Sequence, residues 1–319
     1  MRRRGRIALL AVLAAVATAA VLVLDREGGV RPAAPAAATL APLPTAEPAP
    51  LGSSGTAPAP LSVRLDDPRD AVRVRFEHAP RAGLLFDVNS GRVLWRRRPS
   101  HVLPIASLTK MMTALVVVDR VPRGGRVRVT AKALRYRGSG VGLLPRGKLI
   151  GVQTMLHGLL LPSGNDAATA LAQRAGGGVR RFVRLMNRRA AGMGLTCTRF
   201  STPSGLRDAG NHSCAGDLAA LARAVLRTPQ VARIVRKRSA VLPFPVKGRK
   251  LYLYNTNPLL HGRYRGTTGI KTGYTVAAGR CLVATARRGR RRLGVVLLHS
   301  RDPGRQARRL LDRGFRRAR

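Results

Sequence analysis

From residue 78 onward the chain reads as strands, then helices, then strands again, and that order constrains its fold more than any other feature. "AGLLFDV", the turn "NSG" and "RVLWRRR" form a strand, a turn and a returning strand. Apolar residues at helical spacing follow over 107–120, and 151–174, 178–193 and 216–227 read as further helices. The last of these is entered from Asp217 and ended by Thr228-Pro229. The pattern then returns to strands over 266–273, "CLVATARR" and "RLGVVLLHS", and "GRQARRLLDRGF" reads as a closing helix. Strands at both ends with helices between them predict one α+β domain whose sheet is completed by its C-terminal part.

Upstream the character changes. "MRRRGR" is a basic start, and Ile7 to Leu24 is a run of 18 residues without charge. As a helix such a run spans about 27 Å, close to the hydrocarbon thickness of a bilayer. It reads as an uncleaved membrane anchor with its basic end in the cytoplasm. The alternative is a cleaved signal using Ala17-Thr18-Ala19, which leaves the protein secreted. Either reading exports the domain. Residues 28–62 are rich in Ala, Pro, Gly, Ser and Thr without apolar periodicity, as in an extended linker. The expected division is anchor or signal over 1–27, linker over 28–77 and folded domain over 78–319.

The formal charge of +45 falls almost wholly after residue 77, and only seven of the 59 basic residues are lysines. No zinc-finger spacing and no aromatic-interleaved basic motif accompanies it, which argues against nucleic acid as a partner. A surface facing an anionic polymer, cell-wall material or membrane, fits the charge. An arginine-biased genome gives the same counts without function. The six histidines show no metal-ligand spacing, so neither a metal nor a cofactor is expected.

Three short motifs carry the chemistry. In "PIASLTKMMTAL", Ser107 and Lys110 stand three residues apart and share a helix face. Ser107 would sit in the first helical turn, where free backbone N–H groups favour developing negative charge. The plain alternative is a surface serine at a helix start. "LPSGNDAA" supplies Ser163-Gly164-Asn165, which could equally be a helix-start turn, and "GIKTGYT" supplies Lys271-Thr272-Gly273, which could be an ordinary strand edge. Roughly 0.3 chance matches are expected for Ser-x-x-Lys and roughly 0.04 for Lys-Thr-Gly, so it is the ordered set of three that has weight.

With these motifs the chain resembles the penicillin-recognising serine enzymes, and among them the low-molecular-weight D-alanyl-D-alanine carboxypeptidases. The surrounding "ASLTKMMTALV", "LLPSGNDAA", "STPSGL", "NTNPLL", "GIKTGYT" and "AGRCLVATA" extend the resemblance over roughly residues 80–316. It implies a β-lactamase/transpeptidase-like fold, with an antiparallel sheet packed against helices and a mainly helical subregion. It also implies peptidoglycan stem peptides ending in D-Ala-D-Ala as substrates and β-lactams as inhibitors. Ser107 would be the nucleophile, Lys110 its base and Ser163 the proton relay. Asn165, Lys271, Thr272, Gly273 and Tyr274 would bind substrate, with the backbone N–H groups of Ser107 and Tyr274 as the oxyanion hole. A β-lactamase, or a peptidoglycan transpeptidase or endopeptidase, could be built from the same motifs. From a different class, an inactive cationic wall-binding protein could retain the fold.

Five further residues are weighed. Asp166 reads as a helix-start acid rather than a base, and Arg280 as a substrate contact or a structural residue. Cys197 and Cys214, 17 residues apart in an exported domain, are disulfide candidates. Cys281 reads as a small buried hydrophobe. The only glutamates are Glu27, Glu47 and Glu77, so no glutamate follows the first motif to activate a deacylating water as class A β-lactamases do.

Overall fold

The expected N-terminal hairpin is β1 (Ala82–Asp87) and β2 (Val93–Arg97), closed where the Asp87 carboxylate accepts the backbone N–H groups of Asn89 and Ser90. The computed structural model describes residues 61–66, 70–206, 209–246 and 249–317. These fall in the second of the chain's two compact units, Gly55–Arg319. The expected anchor or signal, 1–27, and residues 28–60 of the linker lie outside the described residues. Among the described residues no helix is long and apolar enough to cross a membrane.

After β3 (Leu103–Pro104), a single 3-10 turn (Ala106–Thr109) leads into α1 (Lys110–Arg120). Next come β4 (Arg126–Arg128), α2 (Ala131–Leu134) and β5 (Leu149–Gly151). Then α3 (Val152–Leu160), α4 (Asn165–Gly176) and α5 (Val179–Gly192) build the helical half. The stretch 151–174, expected as one helix, is therefore two. Pro162 has no N–H to continue the ladder, and Ser163 adopts a left-handed φ of 68°. The break turns Ser163 out of the helix and into a cleft. β6 (His212–Ser213), α6 (Ala215–Arg227) and α7 (Pro229–Val235) follow, with Asp217 in the first turn of α6 rather than at its entry. An unforeseen hairpin, β7 (Ser239–Pro243) and β8 (Lys250–Tyr254), and the short α8 (Pro258–His261) precede the meander of β9 (Thr267–Thr275), β10 (Gly279–Arg288) and β11 (Arg291–Ser300). The closing helix is α9 (Pro303–Arg316).

The two ends meet in one antiparallel five-stranded sheet, ordered β2-β1-β11-β10-β9, with Leu84 opposite Val296 and Val296 opposite Val283. Side chains alternate between the faces of a strand, and here both faces are buried. Leu84, Phe86, Val283, Val296 and Leu298 face the helical half, where α6 lies against β1 and β11. Leu85, Leu282, Ala284, Val295 and Leu297 face Ala307, Leu310, Leu311 and Phe315 of α9. α1 is buried from Lys110 to Val117 and contacts α3, α4, α5, α6 and α7, the environment of a central helix.

Residues 61–66 and 70–77, assigned from sequence to the linker, pack on this domain. Val72 is buried and its N–H donates to Leu94 O at 2.8 Å. The buried Arg223 guanidinium donates to the carbonyls of Leu61 and Ser62 at 2.8 and 2.6 Å. Four such bonds to carbonyls of two segments, counting Val88 and Asn89, compensate for burying the charge.

Candidate active site

Ser107 lies in the 3-10 turn and Lys110 begins α1, so the turn carries the hydroxyl directly over the amine. The two atoms, Ser107 Oγ and Lys110 Nζ, are 2.8 Å apart. Ala106, immediately before the serine, has a φ of 47°, and Ser163 across the cleft has 68°. Such backbone costs on the order of 1–3 kcal/mol per residue and persists where packing enforces it.

Lys110 is fully buried and has two further partners besides Ser107: Nζ donates to Asn165 Oδ1 at 2.8 Å and to Ser204 O at 2.9 Å. Burial, and then the charge of Lys271, hold its pKa well below the ordinary lysine value, and Asp166 opposes that shift. Lys271 is also buried; its Nζ donates to Thr272 O at 3.0 Å, and burial lowers its pKa to about 7. Two buried lysines, the charge of Lys271 disfavouring that of Lys110, are costly to bury, and such paired perturbation is characteristic of functional sites.

Ser163 is buried, lines the cleft, and its Oγ has no hydrogen-bond partner among the described residues. Asn165 opens α4; its side chain donates to Arg137 O at 2.6 Å, and its N–H to Ser139 O at 2.8 Å. Asp166 has the helix-start position expected of it, and more. Its carboxylate accepts N–H bonds from Ala167, Val141 and Gly142 at 2.7–3.1 Å, pinning the loop over 137–142 beside the cleft.

The opposite wall is β9, the edge strand of the sheet. Thr272, Gly273 and Tyr274 line the cleft with Ser107, Ser139 and Ser163; Arg280, Cys281 and Asp302 extend it. Gly273 is required by contact: a Cβ there would lie 2.9 Å from Ile105 O and 3.2 Å from Ser107 N. The strand thus runs against the turn that carries the nucleophile. Thr272 Oγ1 bonds Thr256 Oγ1 at 2.6 Å, and Tyr274 is two-thirds exposed. All eight sequence-derived catalytic and substrate-binding residues therefore sit on the 3-10 turn, the starts of α1 and α4, the break between α3 and α4, and the strand that border this cleft.

Ser204 and Thr256 were not singled out from the sequence. Ser204 acts through its backbone carbonyl, which residue type cannot signal, although "STPSGL" marks the turn. Gly205, at φ 75°, brings that turn against Ala106, where any side chain would collide with the Ala106 carbonyl. Thr113 Oγ1 secures the same turn by donating to Pro203 O at 2.7 Å. The loop is closed further back by a disulfide between Cys197 and Cys214, whose Cα atoms are 5.6 Å apart. Asp217 braces its start, accepting from Cys197 N at 2.8 Å and Thr198 Oγ1 at 2.7 Å, while burial raises its pKa. Cys281 is buried on β10, as expected.

The family model described as D-alanyl-D-alanine carboxypeptidase matches residues 69–302. The chain is 33% identical over 246 residues to D-alanyl-D-alanine carboxypeptidase DacF of Bacillus subtilis, covering 75% of this chain and 62% of that protein. It is 38% identical over 218 residues to DacB2, a protein of the same description from Mycobacterium tuberculosis, covering 68% and 73%. The chain thus spans less than two thirds of the Bacillus relative. A solved D-alanyl-D-alanine carboxypeptidase of Mycobacterium tuberculosis superposes with a TM-score of 0.71 at 36% identity, over 78% of this chain and 96% of the other.

Proposed function

This chain belongs to the D-alanyl-D-alanine carboxypeptidase family, and from that premise we propose that it removes the terminal D-alanine of peptidoglycan stem peptides through an acyl-enzyme on Ser107. The observation that carries the reading is the Ser107–Lys110 contact, 2.8 Å from hydroxyl to a buried amine whose pKa is lowered. A neutral amine has two N–H groups and one lone pair. Asn165 Oδ1 and Ser204 O take the two N–H groups, and the lone pair is left for the serine proton.

In this mechanism Lys110 accepts that proton as Oγ attacks the carbonyl between the two D-alanines. The oxyanion forms against the N–H groups of Ser107 and Tyr274, where losing one donor costs about 3 kcal/mol. Ser163 passes the proton to the leaving nitrogen, the C–N bond breaks, and D-alanine departs. Water then attacks the ester, giving its proton to Lys110, and Ser107 is regenerated. Lys271 and Thr272 hold the terminal carboxylate, which restricts cleavage to the last residue. Gly273 lets the substrate lie along β9 as an added strand. Asn165 holds the peptide amide.

β-Lactams acylate the same serine. Asp166, the acid nearest the motifs, has its carboxylate engaged by backbone N–H groups, and no glutamate follows Glu77. A penicilloyl ester, whose fused ring stays attached, therefore lacks a dedicated deacylating base. Repeated release of D-alanine from an N-acylated D-Ala-D-Ala peptide, alongside a penicilloyl adduct that outlives many peptide turnovers, is the expected result. Penicillin hydrolysed as fast as the peptide would instead make the protein a β-lactamase. The same reading places the domain outside the cell membrane, held by the uncharged run over 7–24; a mature N-terminus near Ala20 in soluble protein would overturn the anchor.

A further inference from the structure

On the mechanism above, the terminal carboxylate sits at Lys271 and Thr272 and the oxyanion at the Tyr274 N–H, so a peptide added along β9 leaves the cleft past Tyr274. It heads for the end of the sheet where β9 turns into β10 and β11 stops. That end is basic. Arg280 lies opposite Tyr274 in one ladder and Ser300 in the other, is exposed, and lines the same cleft as Ser107. One of its N–H groups donates to Arg301 O at 2.9 Å, which fixes where the guanidinium sits. A second hollow adjoins it, lined by His78, Arg81, His299 and Arg301, with an Arg301 nitrogen 3.1 Å from His78 Nε2. Asp302 is the one acid among the described residues lining either hollow, and it caps α9 by accepting the Arg305 N–H at 3.0 Å. Glu77, beside them, lies 3.7 Å from His78 Nε2. Three arginines on neighbouring strand ends thus stand against an acid already committed to a helix, and such a hollow attracts anions.

We propose that this end of the sheet is an upstream subsite for a free carboxylate that the substrate peptide carries within a few residues of its D-Ala-D-Ala end, with Arg280 as the main contact. Paired strands lie about 4.8 Å apart, so a peptide on the outer edge of β9 runs about 10 Å from the Arg280 backbone. An arginine side chain and a glutamate-like side chain cover that distance between them. Side chains alternate along a strand, so every second peptide residue turns to the face of the sheet that carries Arg280. Beyond its bond to Arg301, the guanidinium has further N–H groups for a two-point bond to a carboxylate. The proposal deepens the function above and rests on it for the direction in which the peptide lies.

The test uses the full chain, an Arg280→Gln variant and an Arg280→Gln/Arg301→Gln variant. Its probes are two N-acylated peptides ending in D-Ala-D-Ala, one with a Glu-Glu pair just ahead of that end and one with Gln-Gln. For the parent, kcat/KM should favour the acidic peptide roughly tenfold, mainly through KM, and the preference should shrink as salt is raised. The ratio is taken within one protein, so a loss of folded enzyme cancels. Arg280→Gln should lose most of the preference, and the double variant should bring it within about twofold of unity. Equal use of the two peptides by the parent, or a preference that the double variant retains, overturns the subsite. So does a Glu-Glu peptide ending in L-Ala-L-Ala that binds Ser107→Ala protein as tightly as its D-Ala-D-Ala counterpart, because the arginines would then be a general anion patch. If the parent releases no D-alanine from either peptide, the proposed activity fails. The binding preference of Ser107→Ala protein for Glu-Glu over Gln-Gln still decides the subsite.

Discussion

The two walls of the cleft are built on opposite plans. On the helical wall the groups around the Lys110 amine are tied, with the Ser163 hydroxyl left without a partner among the described residues: Lys110 has three partners, Asn165 reaches Lys110 and the 137–142 loop, and Asp166 pins that loop. On the sheet wall β9 is an edge strand, and Lys271 donates to the carbonyl of its own neighbour, Thr272. The first wall is arranged before substrate arrives, as a proton-transfer site must be. On the proposed mechanism the second offers a strand edge and the Lys271 amine, which a peptide with a free carboxylate would complete. Chemistry and recognition are thus separable, and the two walls should fail in different ways.

The largest effects belong to the helical wall. Ser107→Ala and Lys110→Ala should each lower kcat for D-alanine release by on the order of 10⁴-fold or more, and the double variant should be little worse than either. Rate measurements on the three proteins check this; losses that multiply would mean that Lys110 does not serve Ser107. Lys271→Met should act mainly on KM, raising it roughly 10- to 100-fold with a smaller change in kcat, as the loss of a charge-assisted bond to carboxylate predicts.

The acid-base behaviour divides along the same line. Lys110 must be neutral to act, so kcat/KM falls as pH drops through its lowered pKa. Lys271 must be charged to hold a carboxylate, so kcat/KM also falls as pH rises above about 7 in the free protein. Stability runs the other way. Between about 7 and the usual 10.5, the unfolded chain keeps a proton on Lys271 that the folded chain has lost, so folding becomes more favourable as pH rises. Urea midpoints across that window should climb for the parent and climb less for Lys271→Met; parallel curves would show that Lys271 is not neutralised by burial.

The smallest effect sharpens the contrast. The Cys197–Cys214 bond closes the loop that brings Ser204 O to Lys110. Cys197→Ser with Cys214→Ser should cost about 3 kcal/mol of stability by loop closure. It should also lower kcat more than it raises KM, because the loop supports the helical wall. Denaturant titration and steady-state kinetics read both quantities; an unchanged kcat with raised KM would assign the loop to recognition.

How much of this was legible in the sequence follows from what each part is made of. Motif side chains and the apolar strands of "CLVATARR" and "RLGVVLLHS" declare themselves by residue type and alternation, and the sheet and the lining of the cleft follow. The split of 151–174 was hidden because Leu160 and Leu161 continue the apolar pattern into Pro162. β7–β8 was hidden because prolines and basic residues interrupt its alternation in "SAVLPFPVKGRKLYLY". The domain starts before residue 78 because a side chain far along the sequence, Arg223, captures backbone carbonyls at 61 and 62. Ser204 was beyond reach for the same reason, since its contribution is a carbonyl.

The central claim is that Ser107, activated by a neutral Lys110, becomes acylated. Intact-mass analysis of the full chain after brief exposure to penicillin, followed by proteolysis and mapping of the adduct, tests it most directly. The account predicts one penicilloyl group per chain, located on Ser107, absent from Ser107→Ala and strongly slowed in Lys110→Ala. An adduct on another residue, or undiminished labelling of Ser107→Ala, would contradict it.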